Sequence, residues 1–88
     1  MAEKTKVTSV TDGDTFVCSG SVIYRLERVD MPERNRPRYE ETKRYLYSLI
    51  YGKTVSVYVK AKDTYGRFVA QVRDGYKNIN KLVKDKFG

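Results

Sequence analysis

Apolar and polar positions alternate from Val22 to Val29, which predicts a strand with Tyr24 and Leu26 on one side and Arg25 on the other. The same period of two marks other strands. Lys6–Val10 reads as the first and Thr15–Cys18 as the second, with Phe16 and Cys18 sharing a face. Further on, Val55, Val57 and Val59 alternate with Thr54, Ser56 and Tyr58, and Phe68, Ala70 and Val72 line one side of a last strand. Asp12-Gly13-Asp14, Ser19-Gly20-Ser21, Asp63-Thr64-Tyr65-Gly66 and Asp74-Gly75 supply the turns between them. Between the third and fourth strands the period lengthens. Thr42, Tyr45, Leu46, Leu49 and Ile50 recur at three and four, as on the inner face of a helix. The spacing predicts that this helix begins at Asn35–Pro37, with Pro37 in its first turn and Glu40 and Glu41 facing the positive end of its dipole, and that Gly52 ends it. Asn78 is placed to cap a final helix carrying Ile79, Leu82, Val83 and Phe87 on one stripe.

Three strands, a helix, two strands and a helix, joined by short turns, predict a small β-barrel with helices. The five-stranded OB-fold fits best, because its helix lies between the third and fourth strands. Residues 1–88 form one domain, with no repeat, linker or low-complexity segment. That architecture by itself implies only a binder of nucleic acid or oligosaccharide.

Charge narrows the choice. Eighteen Lys and Arg against eleven Asp and Glu give a net charge of +7, which suits a polyanionic partner: nucleic acid first, an acidic membrane surface second. The bland alternative is that lysines keep a small protein soluble. The absence of histidine excludes Ser-His and Cys-His catalysis and the commonest zinc ligand. The single cysteine, Cys18, allows no internal disulfide and reads as a small buried apolar residue. The polar N-terminus has no apolar signal core and no stretch is long enough to span a membrane. The expectation is a cytoplasmic protein, or a secreted one if a leader has been removed.

The candidate chemistry gathers at strand ends. Pro32 removes a backbone donor and ends the central strand, leaving Asp30 and Glu33 on either side of a charged turn. Asp14 follows a glycine turn, Arg25 lies five residues before Asp30, and Arg67 follows the Asp63–Gly66 turn. Two aspartates and a backbone carbonyl begin a site for a hard cation. A further carboxylate could take a proton from water, and two arginines could fork onto a phosphate. Each residue also has a plainer role. Asp12 and Asp14 could only shape a turn, Arg25 could pair with Glu27, Arg67 could be a solvated charge and Tyr65 could be packing.

The ordered set Val10-Thr11-Asp12-Gly13-Asp14-Thr15, Arg25-Leu26 with Val29-Asp30-Met31-Pro32-Glu33, Asp63-Thr64-Tyr65-Gly66-Arg67, and Ile79-Asn80 with Leu82-Val83 resembles the staphylococcal (micrococcal) nuclease family over nearly the whole chain. The resemblance implies an OB barrel that cleaves DNA and RNA, single strands preferred, with Ca2+ as cofactor. It also implies products with 3′-phosphate ends. Asp14, Asp30 and the backbone carbonyl of Met31 match the calcium ligands. Glu33 matches the carboxylate that activates or orients the attacking water. Arg25 and Arg67 match the pair that holds the scissile phosphate, and Tyr65 an aromatic that contacts a substrate phosphate. Met31 stands where a small residue is usual, Arg28 replaces a frequent glycine, and the chain ends before the family's usual third helix. The expected protein is a monomer that acts on nucleic acid and not on membranes. The rival reading is a catalytically inactive OB-fold module that binds nucleic acid without cutting it.

Overall fold

The computed structural model describes residues 2–88. The chain forms β1 (Glu3–Asp12), β2 (Thr15–Cys18), a single 3-10 turn at Ser19–Ser21, and β3 (Val22–Leu26). There follow α1 (Tyr39–Ile50), β4 (Thr54–Lys62), β5 (Phe68–Asp74), the two-residue β6 (Lys77–Asn78) and α2 (Ile79–Phe87). Antiparallel pairing links β3 to β2, β2 to β1, β1 to β4 and β4 to β5. Parallel pairing of β3 with β5, Tyr24 against Phe68 and Leu26 against Ala70, then closes the sheet into a five-stranded barrel. This is the OB-like barrel with two helices that the strand order predicts. β6, which the sequence pattern did not single out, only extends the β5 edge.

The inward residues of the alternating strands fill the barrel. Val7, Phe16, Cys18, Tyr24, Leu26, Val55, Val57, Ala70 and Val72 are all buried. Tyr24 lies between the rings of Phe16 and Phe68, at 5.6 and 6.1 Å. Leu46 and Ile50 of α1 and Ile79 and Val83 of α2 complete the same core. Each such side chain contributes roughly 1.5–3 kcal/mol through burial. The helical periods of three and four seen in the sequence are therefore the barrel's two lids.

Three boundaries differ from the sequence pattern. β1 is longer, because its first residues, Glu3–Lys6, find a second partner in β4. β3 stops at Leu26 rather than Val29: the Glu27 N–H still reaches the Ala70 carbonyl at 2.9 Å, but Arg28 turns to φ 60° and the chain leaves the sheet. The first helix starts at Tyr39, so Pro37 precedes it instead of occupying its first turn. Asn35 and Arg38 adopt left-handed φ values of 71° and 69°, which no α-helix contains. Glu40 and Glu41 do lie in the first turn, as the dipole favours.

α2 begins as predicted, with the Asn78 side chain accepting from the Lys81 N–H. The next asparagine, Asn80, is buried and turned inward. It accepts from the Val72 N–H at 2.8 Å and donates to the carbonyls of Ala70 and Glu27 at 3.0 and 3.1 Å. Asn80 thereby ties α2 to the barrel seam where β3 meets β5.

Candidate active site

Closure of the barrel brings the end of β3 and the first residues of β5 beside the β1–β2 turn. Asp14 is held there from several sides. Its Oδ1 accepts from the Thr15 hydroxyl at 2.9 Å, and its Oδ2 accepts from the Met31 backbone N–H at 2.9 Å. Its carbonyl accepts from the Leu26 N–H at 2.8 Å. Gly13 makes this closeness possible: a Cβ there would stand 2.8 Å from Thr42 Cβ and 2.9 Å from Met31 Cβ. The turn is thus clamped between the first turn of α1 and the segment after β3.

Arg25 projects from the outer face of β3. Its Nη2 lies 3.4 Å from Asp14 Oδ2 and 3.5 Å from Asp30 Oδ1, so one guanidinium nitrogen gathers both aspartates. The two carboxylates differ in setting. The Asp14 side chain is 6% exposed and the Asp30 side chain 95%. Glu27 is not Arg25's partner; it accepts from Gln71 instead.

A second group lies alongside. Glu33, Tyr65 and Arg67 line a shallow depression of about 440 Å³. Arg67 Nε donates to Asp63 Oδ2 at 2.7 Å and its backbone N–H to Asp63 Oδ1 at 2.9 Å. Burial alone would raise the Asp63 carboxyl, but these bonds, a third from the Tyr65 N–H and the Arg67 charge outweigh it and hold the group below its ordinary value. The guanidinium also stacks 5.3 Å over the Tyr65 ring, which is 81% exposed and belongs to no core. Arg67 is therefore a positioned charge, held through its Nε and its backbone N–H. Arg25 pairs with Val69 across the β3–β5 seam, and Arg67 immediately precedes β5 at the same end of that seam.

So Asp14, Arg25, Asp30 and the Met31 backbone form one cluster, and Glu33, Tyr65 and Arg67 form another beside it. Among the described residues, no three acidic, thiol or imidazole side chains converge tightly enough to hold a cation alone. The donor chemistry nonetheless fits a hard divalent ion: two carboxylates meet on one positive nitrogen, and calcium completes its shell with carbonyls and water.

Sequence reasoning gave Asp12 no part beyond shaping the turn. It does shape it, accepting from the Asp14 N–H at 3.1 Å. Burial, followed by the hydrogen bond and negative charge of the Asp14 side chain, also pushes its carboxyl up to about 7. The D-G-D spacing was the available signal, since two carboxylates that close seldom both ionise cheaply. Asp63, which orients Arg67, was likewise read as turn only.

The sequence model of the family described as "Staphylococcal nuclease homologue" matches residues 23–86. The chain belongs to that family. An "Uncharacterized endonuclease" of Haemophilus influenzae is 36% identical over 84 residues, covering 90% of this chain and 47% of that protein. An "Uncharacterized endonuclease" of Escherichia coli O157:H7 is 36% identical over 83 residues, covering 89% of this chain and 54% of that protein. The chain spans about half the length of these relatives. The matched family segment runs from Ile23 to Lys86, so the charged turn, α1, β4 and β5 lie within it, with all but the first residue of β3 and the last of α2.

Proposed function

We propose that this domain is a calcium-dependent endonuclease that hydrolyses phosphodiester bonds of DNA and RNA, prefers single strands and leaves 3′-phosphate ends. The observation that carries the reading is the pairing of two charge arrangements at one end of the barrel. Asp14 and Asp30 gather on Arg25, while Glu33 and Arg67 line the neighbouring depression. The OB-fold uses this region, between its first and fourth loops, to bind oligonucleotides.

Asp14, Asp30 and the Met31 carbonyl would hold the calcium, whose charge offsets the repulsion between these acids and a phosphate. Arg25 and Arg67 donate to the non-bridging oxygens of the scissile phosphate, and both gain as charge builds there. Glu33 accepts a proton from the attacking water as its oxygen bonds to phosphorus. The P–O5′ bond breaks, and the departing 5′ oxygen, assisted by Arg67, takes a proton from water, so the phosphate stays on the 3′ oxygen. Tyr65 flanks the depression where a neighbouring phosphate would lie. Asp63 holds the Arg67 guanidinium in place through its Nε.

The test is incubation with denatured DNA and with RNA, with calcium or with a chelator, followed by end-group analysis. Calcium-dependent cleavage with 3′-phosphate ends is expected. Glu33→Gln should lower turnover roughly a hundredfold to ten-thousandfold while binding is kept. Binding without cleavage at saturating calcium would instead identify a non-cutting nucleic-acid module.

A further inference from the structure

α1 carries a second pattern that its role as a lid does not use. Its inner face is Thr42, Leu46 and Ile50. On the flank, Tyr39, Lys43 and Tyr47 recur every four residues, and Tyr51, which caps the helix just past Ile50, continues the row. The Lys43 ammonium lies 5.6 Å over the Tyr39 ring, and the Tyr47 and Tyr51 rings stack at 4.2 Å and 12°. Tyr47 and Tyr51 are 46% and 47% exposed and contribute nothing to the core. Stability therefore does not account for two large rings held side by side in water.

The row starts at the candidate active site. The Tyr39 hydroxyl donates to the Thr11 carbonyl at 2.7 Å, next to the Asp12–Asp14 turn. Tyr39 also shares a depression of about 590 Å³ with Arg34, Arg36 and Arg38, the residues that follow Glu33. From there the row runs about 18 Å along the helix, at 1.5 Å per residue. Its charge is suited to phosphate: among the described residues Arg34, Arg36, Lys43 and Arg44 make no ion pair, whereas Arg38 pairs with Glu41. Two acids lie close by: Glu40 and Glu41 both line that depression, Glu41 paired with Arg38 and Glu40 four residues before Arg44.

We propose that the Tyr39–Lys43–Tyr47–Tyr51 row is a track for the single-stranded continuation of the substrate beyond the scissile phosphate. Bases stack on the outer ring faces, and Lys43 and Arg44 neutralise the backbone between them. The proposal rests on the nuclease reading and adds to it a reason for preferring single strands. A duplex keeps its bases stacked on each other and offers none to the tyrosines.

The test is binding of fluorescent oligothymidylates by anisotropy in chelator, where cleavage cannot intervene. Lengths of about 4 and about 16 nucleotides bracket OB-fold site sizes. The parent protein should bind the longer strand more tightly. Tyr47→Ser/Tyr51→Ser should weaken the longer strand at least about fivefold and leave the shorter unchanged. Lys43→Gln/Arg44→Gln should lower the log–log salt slope for the longer strand by about 1.4, two phosphates' worth for a single strand. Parent affinity in both variants overturns the track, as does equal loss at both lengths. So does a parent that gains nothing from length, although the site reading then survives. Binding of neither length by the parent overturns the track, and the nuclease reading is then decided by the calcium-dependent cleavage assay above. If the tyrosine variant changes only the oligomeric state, measured by light scattering, the row belongs to a second copy of the chain and the proposal fails.

Discussion

Asn80→Ala should be among the most destabilising single substitutions outside the apolar core. Three hydrogen bonds disappear: the one accepted from Val72 and the two donated to Ala70 and Glu27. They are not equivalent. The Ala70 carbonyl keeps the Glu27 N–H at 2.9 Å, and the half-exposed Glu27 can turn to water. The Val72 N–H lies in a fully buried residue and is left without an acceptor. At roughly 1 kcal/mol per bond, with an orphaned donor costing about 1–3, the total is about 3 kcal/mol. A chain of this length has only about 4–13 kcal/mol in all, and each kcal/mol moves the midpoint by roughly 4–8 °C. The expected fall in Tm is therefore about 12–24 °C, read by far-UV circular dichroism. Asn78→Ala is the control. It removes one exposed cap bond, at 3.1 Å to the Lys81 N–H, and should cost about 1 kcal/mol. If Asn80→Ala melts no lower than Asn78→Ala, the bond between α2 and the β3–β5 seam does not stabilise the barrel as argued.

Gly13→Ala sets a methyl within 3 Å of Thr42 Cβ and Met31 Cβ, atoms too near the backbone to swing aside. It should cost about 1–3 kcal/mol and weaken calcium binding, both measurable by titration calorimetry and melting; an unchanged midpoint would disprove the clamp. Arg28 sits at φ 60°, where a Cβ is strained, so Arg28→Gly should melt above Arg28→Ala by about 1 kcal/mol, the reverse of their order in regular structure. The Asp12 carboxyl is raised to about 7, chiefly by burial and then by Asp14, so the folded state holds a proton that the unfolded chain gives up near pH 4. The stability linked to that proton is complete below pH 4 and is lost as pH rises through about 7. Asp12→Asn should flatten this slope in denaturant melts, and an unaltered slope would place the titration elsewhere.

Local pattern was enough wherever one residue's neighbours along the chain decide its fate. Alternation at Thr15–Cys18 gave β2 to the residue, because a strand with one face in the core must put Phe16 and Cys18 inward. Asn78 and the stripe behind it gave α2 for the same reason. The site residues were also legible as types, since a D-G-D turn, a charged turn after a strand and a basic excess have few uses together. What the pattern could not contain were relations between distant segments. Asp14 fixes the Met31 N–H across seventeen residues and Asn80 holds the Glu27 carbonyl across fifty-three. The first depends on how the chain returns after β3 and the second on the β3–β5 closure, and no local period encodes either. The helix start moved to Tyr39 because Asn35 and Arg38 adopt left-handed turns that carry the chain from the site to the lid. The division of the acids had the same origin. Asp14 is buried between two segments, while Asp30, on the same Arg25 nitrogen, stays in water. Burial and partners set the chemistry of a carboxylate, and only the closed barrel assigns those.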